Sequence, residues 1–385
     1  MPKRRDASNP TALFIGAGSS AAFGCPVTSE LFPDIRERLT TRTLFSLASN
    51  PKRERAKMLR LQGYLEKLLP AVFAKDVELP WITEILSLLD QFIETRQIAS
   101  PMFMMDEMRD FRTLLEEAIL EVIVGNRPNS RDIPALDRLT DWILCAPLTQ
   151  GAPMTIISTN YDILVESLLF EKIILQAWLA AKDPGREYSQ LDFGFAWREH
   201  AAGRYLPAIH RPPDDPWVRL LKLHGSLNWL RCPLCGFTYV NTTGTVHREA
   251  FREDKIDSNN TCLCGHGPVG AVIVAPSVVR RIEDPNLLTI WNSAQESLRR
   301  ASEWIFAGYS LPSEDIAIRA ILVRAYHARG KGGKPPKVRV VQREPDAAMA
   351  GRYRLLFPQC SFEYGGFERF IADLPDPPRH YPAQS

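Results

Sequence analysis

The sequence predicts an α/β protein built on a parallel sheet. Short, continuously apolar runs recur along the chain, which is typical of strands that helices cover on both faces. Segments with apolar residues at helical spacing follow these runs, and the alternation of strand and helix favours parallel pairing. The chain has 385 residues, of which 45% are hydrophobic and 24% are charged. This size and composition are ordinary for a soluble globular protein of two or three structural units.

The predicted elements alternate along the chain. A first strand ends in a glycine turn and a helix, and a second helix begins near Pro26. Later helices are predicted from about residues 163, 286 and 313, with one more after the last strand. Residues 183–216 are rich in Pro, Gly and aromatic residues, so we expect irregular structure there. The core strands are predicted at 11–15, 154–158, 217–223, 271–275, 304–307 and 337–341.

The pattern changes between residues 53 and 145. Apolar residues recur there at helical spacing, as at Leu61, Leu65 and Leu68, and strand signals are few. We therefore predict a helical insertion of about four helices.

The charge balance excludes some classes of partner. The chain has 47 Lys and Arg against 45 Asp and Glu, a net charge of +2. We therefore expect no direct binding to nucleic acid or to an anionic membrane. No apolar run approaches the ~18–20 residues that span a bilayer, and the basic start lacks the apolar segment of a signal peptide. We expect a cytoplasmic protein.

A glycine turn follows the first predicted strand. Gly16, Gly18 and Ser20 lie where the strand gives way to a helix, and Gly24 follows. Backbone N–H groups at such a helix start can hold a pyrophosphate, as in Rossmann-like domains. The third glycine is six residues after Gly18, which departs from the usual dinucleotide pattern. A tight strand-to-helix turn without a ligand is an equally good interpretation.

Polar residues follow two further predicted strands. Asn160 and Asp162 come after strand 154–158, and His224 comes after strand 217–223. Ligands of open α/β sheets bind beyond the carboxyl ends of the strands. Asn160 and Asp162 can bind a ribose or position a water, and a histidine can accept a proton near neutral pH. The alternatives are an Asx turn in which Asp162 caps the next helix, and a packed histidine with a structural role.

The last two predicted strands also end in polar groups. Gly308 and Ser310 follow strand 304–307, and a small residue with a hydroxyl there suits a phosphate or a ribose. Gln342 follows strand 337–341, where it can reach an adenosine ribose. A simple turn and a polar loop are the alternatives at these two positions.

Four of the seven cysteines form two close pairs, Cys232 with Cys235 and Cys262 with Cys264. In a chain without secretory features, such pairs are typical of a zinc-binding module. Four thiolates leave no open coordination position, so we expect a structural Zn²⁺. The second pair has one intervening residue instead of two, which makes His266 a spare candidate ligand. Metal-free turns with reduced thiols are the alternative.

The order of these motifs resembles the sirtuin family. Asn160 and Asp162 match its Asn-Ile-Asp segment, His224 matches its catalytic histidine, and the cysteine pairs match its zinc module. The stretch KLHGSLNW at 222–229 looks like the divergent sirtuin-like proteins of bacterial anti-phage defence. The residues that match the family's first motif are Gly16, Ala17, Gly18, Ser20, Gly24 and Pro26.

The resemblance implies a Rossmann-like NAD domain and a small zinc domain, with NAD⁺ bound between them. It implies that Asn160 orients a water or the nicotinamide ribose and that Asp162 organises the nicotinamide side. It implies that His224 contacts ribose hydroxyls and acts as general base, and that Ser310 lies near the phosphates. The implied NAD⁺ contacts are Gly16, Ala17, Gly18, Ser20, Gly24, Asn160, Asp162, Gly308, Ser310 and Gln342.

The expected domain organisation combines the sheet, the insertion and the module. The Rossmann-like domain comprises three segments, the module holds the catalytic histidine and the zinc knuckle, and the last residues are expected to be disordered. The boundaries are 1–52, 146–216 and 268–375 for the Rossmann-like domain, 53–145 for the helical insertion, 217–267 for the module and 376–385 for the tail.

Two departures from the family affect the predicted activity. Deacylating sirtuins carry Asp-Phe-Arg after the proline, where this chain has Val27, Thr28 and Ser29, and Thr159 stands in place of a Gln. We therefore expect an NAD⁺ hydrolase, an NADase that forms ADP-ribose and nicotinamide. The alternatives are an NAD-dependent protein deacylase and a catalytically silent sensor of NAD or ADP-ribose. A zinc-bearing nucleic-acid module fits the charge poorly.

The resemblance also implies a biological setting. It implies an antiviral effector that depletes NAD⁺ in a bacterial host, held quiet by assembly or by a partner. We expect a homo-oligomer, with the helical insertion as its candidate contact surface, and a HerA-like ATPase as a candidate partner.

Overall fold

The structure is a computed structural model, and it describes residues 10–376 apart from 46–50, 98–102, 180–189, 202, 247–260, 266–268, 278–283 and 329–333. The strands are β1 Thr11–Ile15, β2 Met154–Ser158, β3 Leu191–Asp192, β4 Trp197–Ala201, β5 Arg204–His210, β6 Val218–Lys222, β7 Gly225–Arg231, β8 Thr238–Val240, β9 Gly270–Ile273, β10 Glu303–Ala307, β11 Lys337–Gln342 and β12 Ser361–Tyr364. The helices are α1 Ala17–Ala21, α2 Thr28–Thr41, α3 Pro51–Leu68, α4 Ile82–Thr95, α5 Met105–Asn126, α6 Pro134–Thr149, α7 Leu164–Leu179, α8 Pro285–Arg300, α9 Ile316–His327, α10 Ala347–Leu356 and α11 Gly366–Ala372, with a short 3-10 turn at Ser130–Asp132.

A seven-stranded parallel sheet forms the centre of the protein, which confirms the predicted fold class. Its order is β12-β11-β10-β1-β2-β6-β3, and every neighbouring pair is parallel. All residues of β1 and β2 are buried, as expected for strands that are covered on both faces. The chain leaves β1 towards β2 and later returns to β10 on the other side of β1. The strand order therefore reverses at β1, and a crevice opens at such a point beyond the carboxyl ends of the strands.

A second sheet of five strands lies beside the first and corrects two sequence predictions. Its order is β5-β4-β8-β7-β9, with both parallel and antiparallel pairs. The segment 183–216, expected to be irregular, contains β4 and β5 of this sheet and β3 of the large one. The strand predicted at 271–275 belongs to the small sheet as β9. Strands β3, β4 and β5 are short or half exposed, so their sequences lack the apolar runs that mark the inner strands of the large sheet.

Strand pairing shows to which of the two sheets the strands of the predicted segments belong. Strand β6 pairs with β2 in the large sheet, although it opens the segment 217–267 predicted as the module. Strands β4 and β5 pair in the small sheet, within the predicted Rossmann-like segment 146–216.

Helices α2 to α5 bury a second apolar core, called here the helical cluster. Leu61 and Leu65 of α3 and Ile85 and Leu89 of α4 belong to this core, and both helices contact α5. Helix α2 belongs to it, although α2 precedes the predicted insertion. Helix α6, at the end of that insertion, contributes instead to the core of the large sheet. None of the described helices combines the length and the hydrophobicity that crossing a membrane requires.

Candidate functional site

A cavity of about 640 Å³ opens beyond the carboxyl ends of the central strands. Residues after β1, β2, β10 and β11 line it, together with His224 after β6. This is the point where the strand order reverses, as expected for a ligand site of an open α/β sheet. The predicted site residues that line the cavity are Ala17, Gly18, Ser20, Asn160, Asp162, His224, Gly308, Ser310 and Gln342.

The glycine turn allows two strand ends to approach each other closely. The Gly18 N–H donates to the carbonyl oxygen of Gly308 over 2.8 Å. Gly308 has a φ of +63°, and a Cβ built on it would lie 1.9 Å from the Ser19 nitrogen. A Cβ on Gly16 would lie 2.8 Å from the Gly308 oxygen. The structure therefore assigns these glycines a packing role, and the Gly18 amide is already engaged in it.

Two of the predicted glycine contacts lie outside the cavity lining. Gly16 stabilises the turn, since its carbonyl oxygen accepts hydrogen bonds from the Ser19 hydroxyl and from the Asn160 Nδ2 group. Gly24 has a φ of +90°, a conformation that favours glycine. Both residues shape the backbone path of the turn.

A chain of hydrogen bonds joins the turns after β1 and β2. The Asn160 Nδ2 group donates to the Ser20 Oγ atom over 2.9 Å, and this hydroxyl donates to the Asp162 Oδ2 atom over 2.6 Å. The other carboxylate oxygen of Asp162 accepts from the Leu164 N–H at the start of α7. The helix-capping alternative for Asp162 is therefore correct for one oxygen, while the other faces the glycine turn.

Two amide side chains of the cavity lining hold unsatisfied polar atoms. Asn160 and Gln342 are buried, and the Asn160 Oδ1 atom has no hydrogen-bond partner among the described residues. The same holds for both terminal atoms of Gln342, Oε1 and Nε2. Leaving buried polar groups unsatisfied costs free energy. These atoms therefore fit a polar ligand that supplies donors to Asn160 and both donors and acceptors to Gln342.

His224 lies at the junction of the two sheets. It follows β6 of the large sheet and precedes β7 of the small one. Its Nδ1 atom lies 3.1 Å from the Thr159 carbonyl oxygen. Because a carbonyl only accepts, this contact assigns the proton to Nδ1 and leaves Nε2 as the basic nitrogen of the neutral ring. The next residue, Gly225, has a φ of +79°, and a Cβ there would lie 1.8 Å from the Val272 oxygen.

Ser310 lies at the rim of the cavity. The residue is exposed, and its carbonyl oxygen accepts two hydrogen bonds from Arg352. The preceding residue, Tyr309, is buried and donates to Asp315 over 2.7 Å. The turn after β10 is thus held from two sides.

The structure adds site residues that the sequence analysis missed. The helical cluster contributes Trp81, Thr83 and Ile123 to the cavity. Outside the cavity lining, the Lys222 ammonium lies 2.6 Å from the Glu166 carboxylate, and both side chains are almost fully buried. A charged residue within an apolar run, as in LVESLLF and in VRLLKL, was the available signal for this pair.

The four predicted cysteines converge on one point at the small sheet. Their Sγ atoms all lie within 4.8 Å of one another. The Cys232–Cys264 distance is 3.7 Å and the Cys235–Cys262 distance is 3.6 Å. Four sulfurs around Zn²⁺ at about 2.3 Å lie about 3.8 Å apart, whereas the sulfurs of a disulfide lie about 2.05 Å apart. The cluster therefore fits a structural zinc ion. His266, the spare candidate, lies outside the described residues, as does the predicted tail from residue 377 onwards.

Fold and site together define a Rossmann-like protein with a ligand cavity at the switch point of its sheet. The family model of the SIR2-like domain matches residues 154–357, just over half of the chain. The chain therefore belongs to the SIR2-like family, and its central domain is an NAD-binding domain.

Solved Sir2 structures are similar over most of the chain. One is Sir2 in complex with the inhibitor EX-527, 2'-O-acetyl-ADP-ribose and a deacetylated p53 peptide, with 14% identity, a TM-score of 0.37 and coverage of 95% of this chain and 92% of that one. Another is Sir2Af2 bound to a myristoylated histone peptide, with 16% identity, a TM-score of 0.32 and coverage of 94% and 89%. A search of curated proteins found no match.

Proposed function

We propose that this protein is an NADase, which binds NAD⁺ in the cavity and hydrolyses it to ADP-ribose and nicotinamide. The observation that carries the proposal is the pair of buried, unsatisfied amide side chains, Asn160 and Gln342, in a cavity that His224 also lines. Membership of the SIR2-like family supports NAD⁺ as the ligand.

The reaction breaks the bond between nicotinamide and C1' of the ribose, and the bonding electron pair leaves with nicotinamide. A water oxygen then bonds to C1' and releases one proton. The Asn160 Oδ1 atom is suited to accept a hydrogen bond from that water or from a ribose hydroxyl. The carboxylate of Asp162, held by Ser20, stabilises the positive charge that develops on the ribose. His224, with Nδ1 bonded to Thr159, offers Nε2 as the base that takes the proton.

The residues that distinguish this chain from deacylating sirtuins also line the cavity. Val27, Thr28 and Ser29 form the start of α2 there, and the backbone N–H of Val27 donates to Glu30. The start of α4 adds Thr83 and the N-cap residue Trp81 to the lining. Because Val27, Thr28 and Ser29 stand where deacylating sirtuins carry Asp-Phe-Arg, we infer that water is the acceptor in place of an acyl-lysine.

The defence role is part of the same proposal and rests on the resemblance of the KLHGSLNW segment. We propose a cytoplasmic effector that depletes NAD⁺ in response to phage. We propose further that it assembles as a homo-oligomer and that a HerA-like ATPase controls it. Size-exclusion chromatography with light scattering tests the assembly, and copurification tests the partner.

Product analysis tests the hydrolysis. Purified protein is incubated with NAD⁺, with and without an acetyl-lysine peptide, and the products are separated by liquid chromatography and mass spectrometry. We expect ADP-ribose and nicotinamide without peptide, and loss of both in Asn160→Ala and His224→Ala. The matched controls are Asn126→Ala and His327→Ala, because both side chains are exposed and outside the cavity lining.

Other outcomes contradict the proposal in distinct ways. Turnover only with peptide, with formation of O-acetyl-ADP-ribose, identifies a deacylase. Binding of NAD⁺ without release of nicotinamide, also in the presence of the copurified partner, identifies a sensor.

A further inference from the structure

We propose that Lys222 and Glu166 form a positioning pair that fixes His224 against the loop after β2. The inference rests on the proposed function for its catalytic consequence, but the positioning itself is a property of the fold. Neither residue lines the cavity, so the pair acts through the residues that do.

The Lys222 ammonium connects three parts of the chain. Its Nζ atom lies 2.6 Å from the Glu166 Oε1 atom on α7. It also donates to the carbonyl oxygen of Asp162 and, over 3.5 Å, to that of Tyr161. An ammonium group has three protons, so these contacts match its donor capacity. Lys222 therefore holds the backbone of the loop that carries Asp162 and ties it to helix α7.

The Glu166 carboxylate holds both flanks of His224. The oxygen that accepts from Lys222 also accepts from the Ser226 hydroxyl over 2.8 Å. Lys222 precedes His224 by two residues, and Ser226 follows it by two. The segment between them passes from the large sheet to the small one. The buried Glu166 Oε1 atom thus accepts hydrogen bonds from both ends of the turn that carries His224.

The imidazole of His224 completes the connection. Its Nδ1 atom contacts the carbonyl of Thr159, in the same loop whose later carbonyls Lys222 engages. Lys222 and His224 therefore both contact backbone carbonyls of the loop after β2. A shift of Lys222 would displace the histidine relative to Asn160 and Asp162.

The burial of the pair indicates a role in positioning. The Lys222 and Glu166 side chains are 1% and 4% exposed. Removing two charges from water is costly, and well-packed apolar residues often replace such pairs without loss of stability. Burial raises the pKa of the Glu166 carboxyl, and Lys222 opposes that effect. A directed set of hydrogen bonds is what apolar residues cannot supply at this place.

The test is the double variant Lys222→Met/Glu166→Gln, which removes both charges of the pair and keeps an oxygen for Ser226. The matched control is Arg219→Met/Asp192→Asn, because this ion pair, at 3.0 Å, also involves β6 but is not bonded to the loop after β2. The measurements are the His224 Nδ1–H signal in ¹⁵N-resolved NMR spectra, and kcat and KM for nicotinamide release.

We expect the double variant to lose or shift the Nδ1–H signal and to lower kcat about 10- to 100-fold at nearly unchanged KM. The control pair should leave the signal and kcat as in the wild type. An unchanged Nδ1–H signal in the folded double variant overturns the inference. The NMR measurement does not need turnover, so it separates failure of this inference from failure of the proposed hydrolysis.

A second variant covers the case in which the double variant does not fold. Ser226→Ala removes one bond to Glu166 and leaves the ion pair intact. We expect it to shift the Nδ1–H signal and to lower kcat about two- to fivefold, as for the loss of one modest hydrogen bond. A wild-type signal and wild-type kcat in folded Ser226→Ala overturn the inference.

Discussion

Ser20 and Asp162 are 142 residues apart in the chain, and a hydrogen bond of 2.6 Å joins the Ser20 Oγ atom to the Asp162 Oδ2 atom. The same hydroxyl accepts from the Asn160 Nδ2 group. Because Nδ2 makes these contacts with the glycine turn, Oδ1 is the Asn160 atom that stays unsatisfied among the described residues. Ser20 thus orients both polar residues that follow β2.

Ser20→Ala tests this relationship. The substitution leaves the buried Asp162 carboxylate and the Asn160 amide each without one partner. We expect the free energy of unfolding to fall by about 1–3 kcal/mol. We also expect weaker binding of ADP-ribose. Urea unfolding and calorimetry measure the two effects. The control is Ser167→Ala, since the Ser167 hydroxyl bonds only locally, to the Ile163 carbonyl. Equal losses of stability and of ADP-ribose affinity in Ser20→Ala and Ser167→Ala would contradict the orienting role of Ser20.

Gly308→Ala tests the close approach of the turns after β1 and β10. Alanine at a φ of +63° is strained, and its Cβ would overlap the Ser19 nitrogen. We expect a loss of more than about 2 kcal/mol in unfolding free energy, together with loss of ligand binding. The control Gly351→Ala lies in helix α10 with open space around it. It should be neutral or stabilising by up to about 1 kcal/mol. A Gly308→Ala protein as stable as the wild type would argue against the packing role.

Zinc analysis tests the cysteine cluster. The small-sheet core around it is limited to a few residues, among them Tyr205, Leu230 and Val269, so we expect the metal to stabilise this region. Elemental analysis should find one zinc ion per chain, and Cys262→Ser should lose it and lower the melting temperature. Cys360→Ser is the control, because Cys360 is not part of the cluster. Full zinc content in Cys262→Ser would mean that the ion is bound elsewhere.

The reactivity of the buried Cys25 thiol should depend steeply on pH. Burial raises the pKa of the Cys25 thiol to about 12, and the Asp162 carboxylate adds to this shift. At pH 8 its thiolate fraction is roughly 10⁻⁴, against roughly a quarter for an ordinary thiol. We expect Cys25 in the folded protein to resist iodoacetamide at pH 8 and to react about 100-fold faster at pH 10. Because the folded pKa exceeds the ordinary value, stability should also decline as the pH rises from 9 towards 12. Mass spectrometry of the Cys25 peptide, with unfolded protein as control, measures the alkylation, and rapid reaction at pH 8 contradicts the prediction.

The sequence allowed the five inner strands of the large sheet and the polar part of the cavity lining that follows them to be predicted, because both follow from local patterns. Strands such as β1 and β2 are continuously apolar, and the residues after them converge on the switch point whatever the details of packing. The role of the glycine turn could not be predicted, since only the structure shows that the Gly18 N–H donates to the Gly308 carbonyl oxygen. Spacing alone cannot distinguish a packing contact from a phosphate contact.

The small sheet and the charged pair could not be predicted for a different reason. Among the described strands, β5 pairs only with the adjacent β4, and β4 pairs in addition with the more distant β8. The half-exposed sequences of β4 and β5 resemble loops. Lys222 and Glu166 are 56 residues apart, and only the fold brings them together. Long-range pairing of this kind carries no signal in a single sequence beyond a charge within an apolar run.

On the proposed function, the cavity binds NAD⁺ through the two unsatisfied amide side chains of Asn160 and Gln342. Isothermal titration with carba-NAD tests this binding in the wild type and in Asn160→Ala and Gln342→Ala. In carba-NAD a cyclopentane replaces the nicotinamide ribose, so its bond to nicotinamide resists hydrolysis. We predict one site per chain and a loss of about tenfold in affinity for each variant, as for one or two hydrogen bonds. No binding by the wild type, or equal affinity in all three proteins, would show that these amides do not bind NAD⁺.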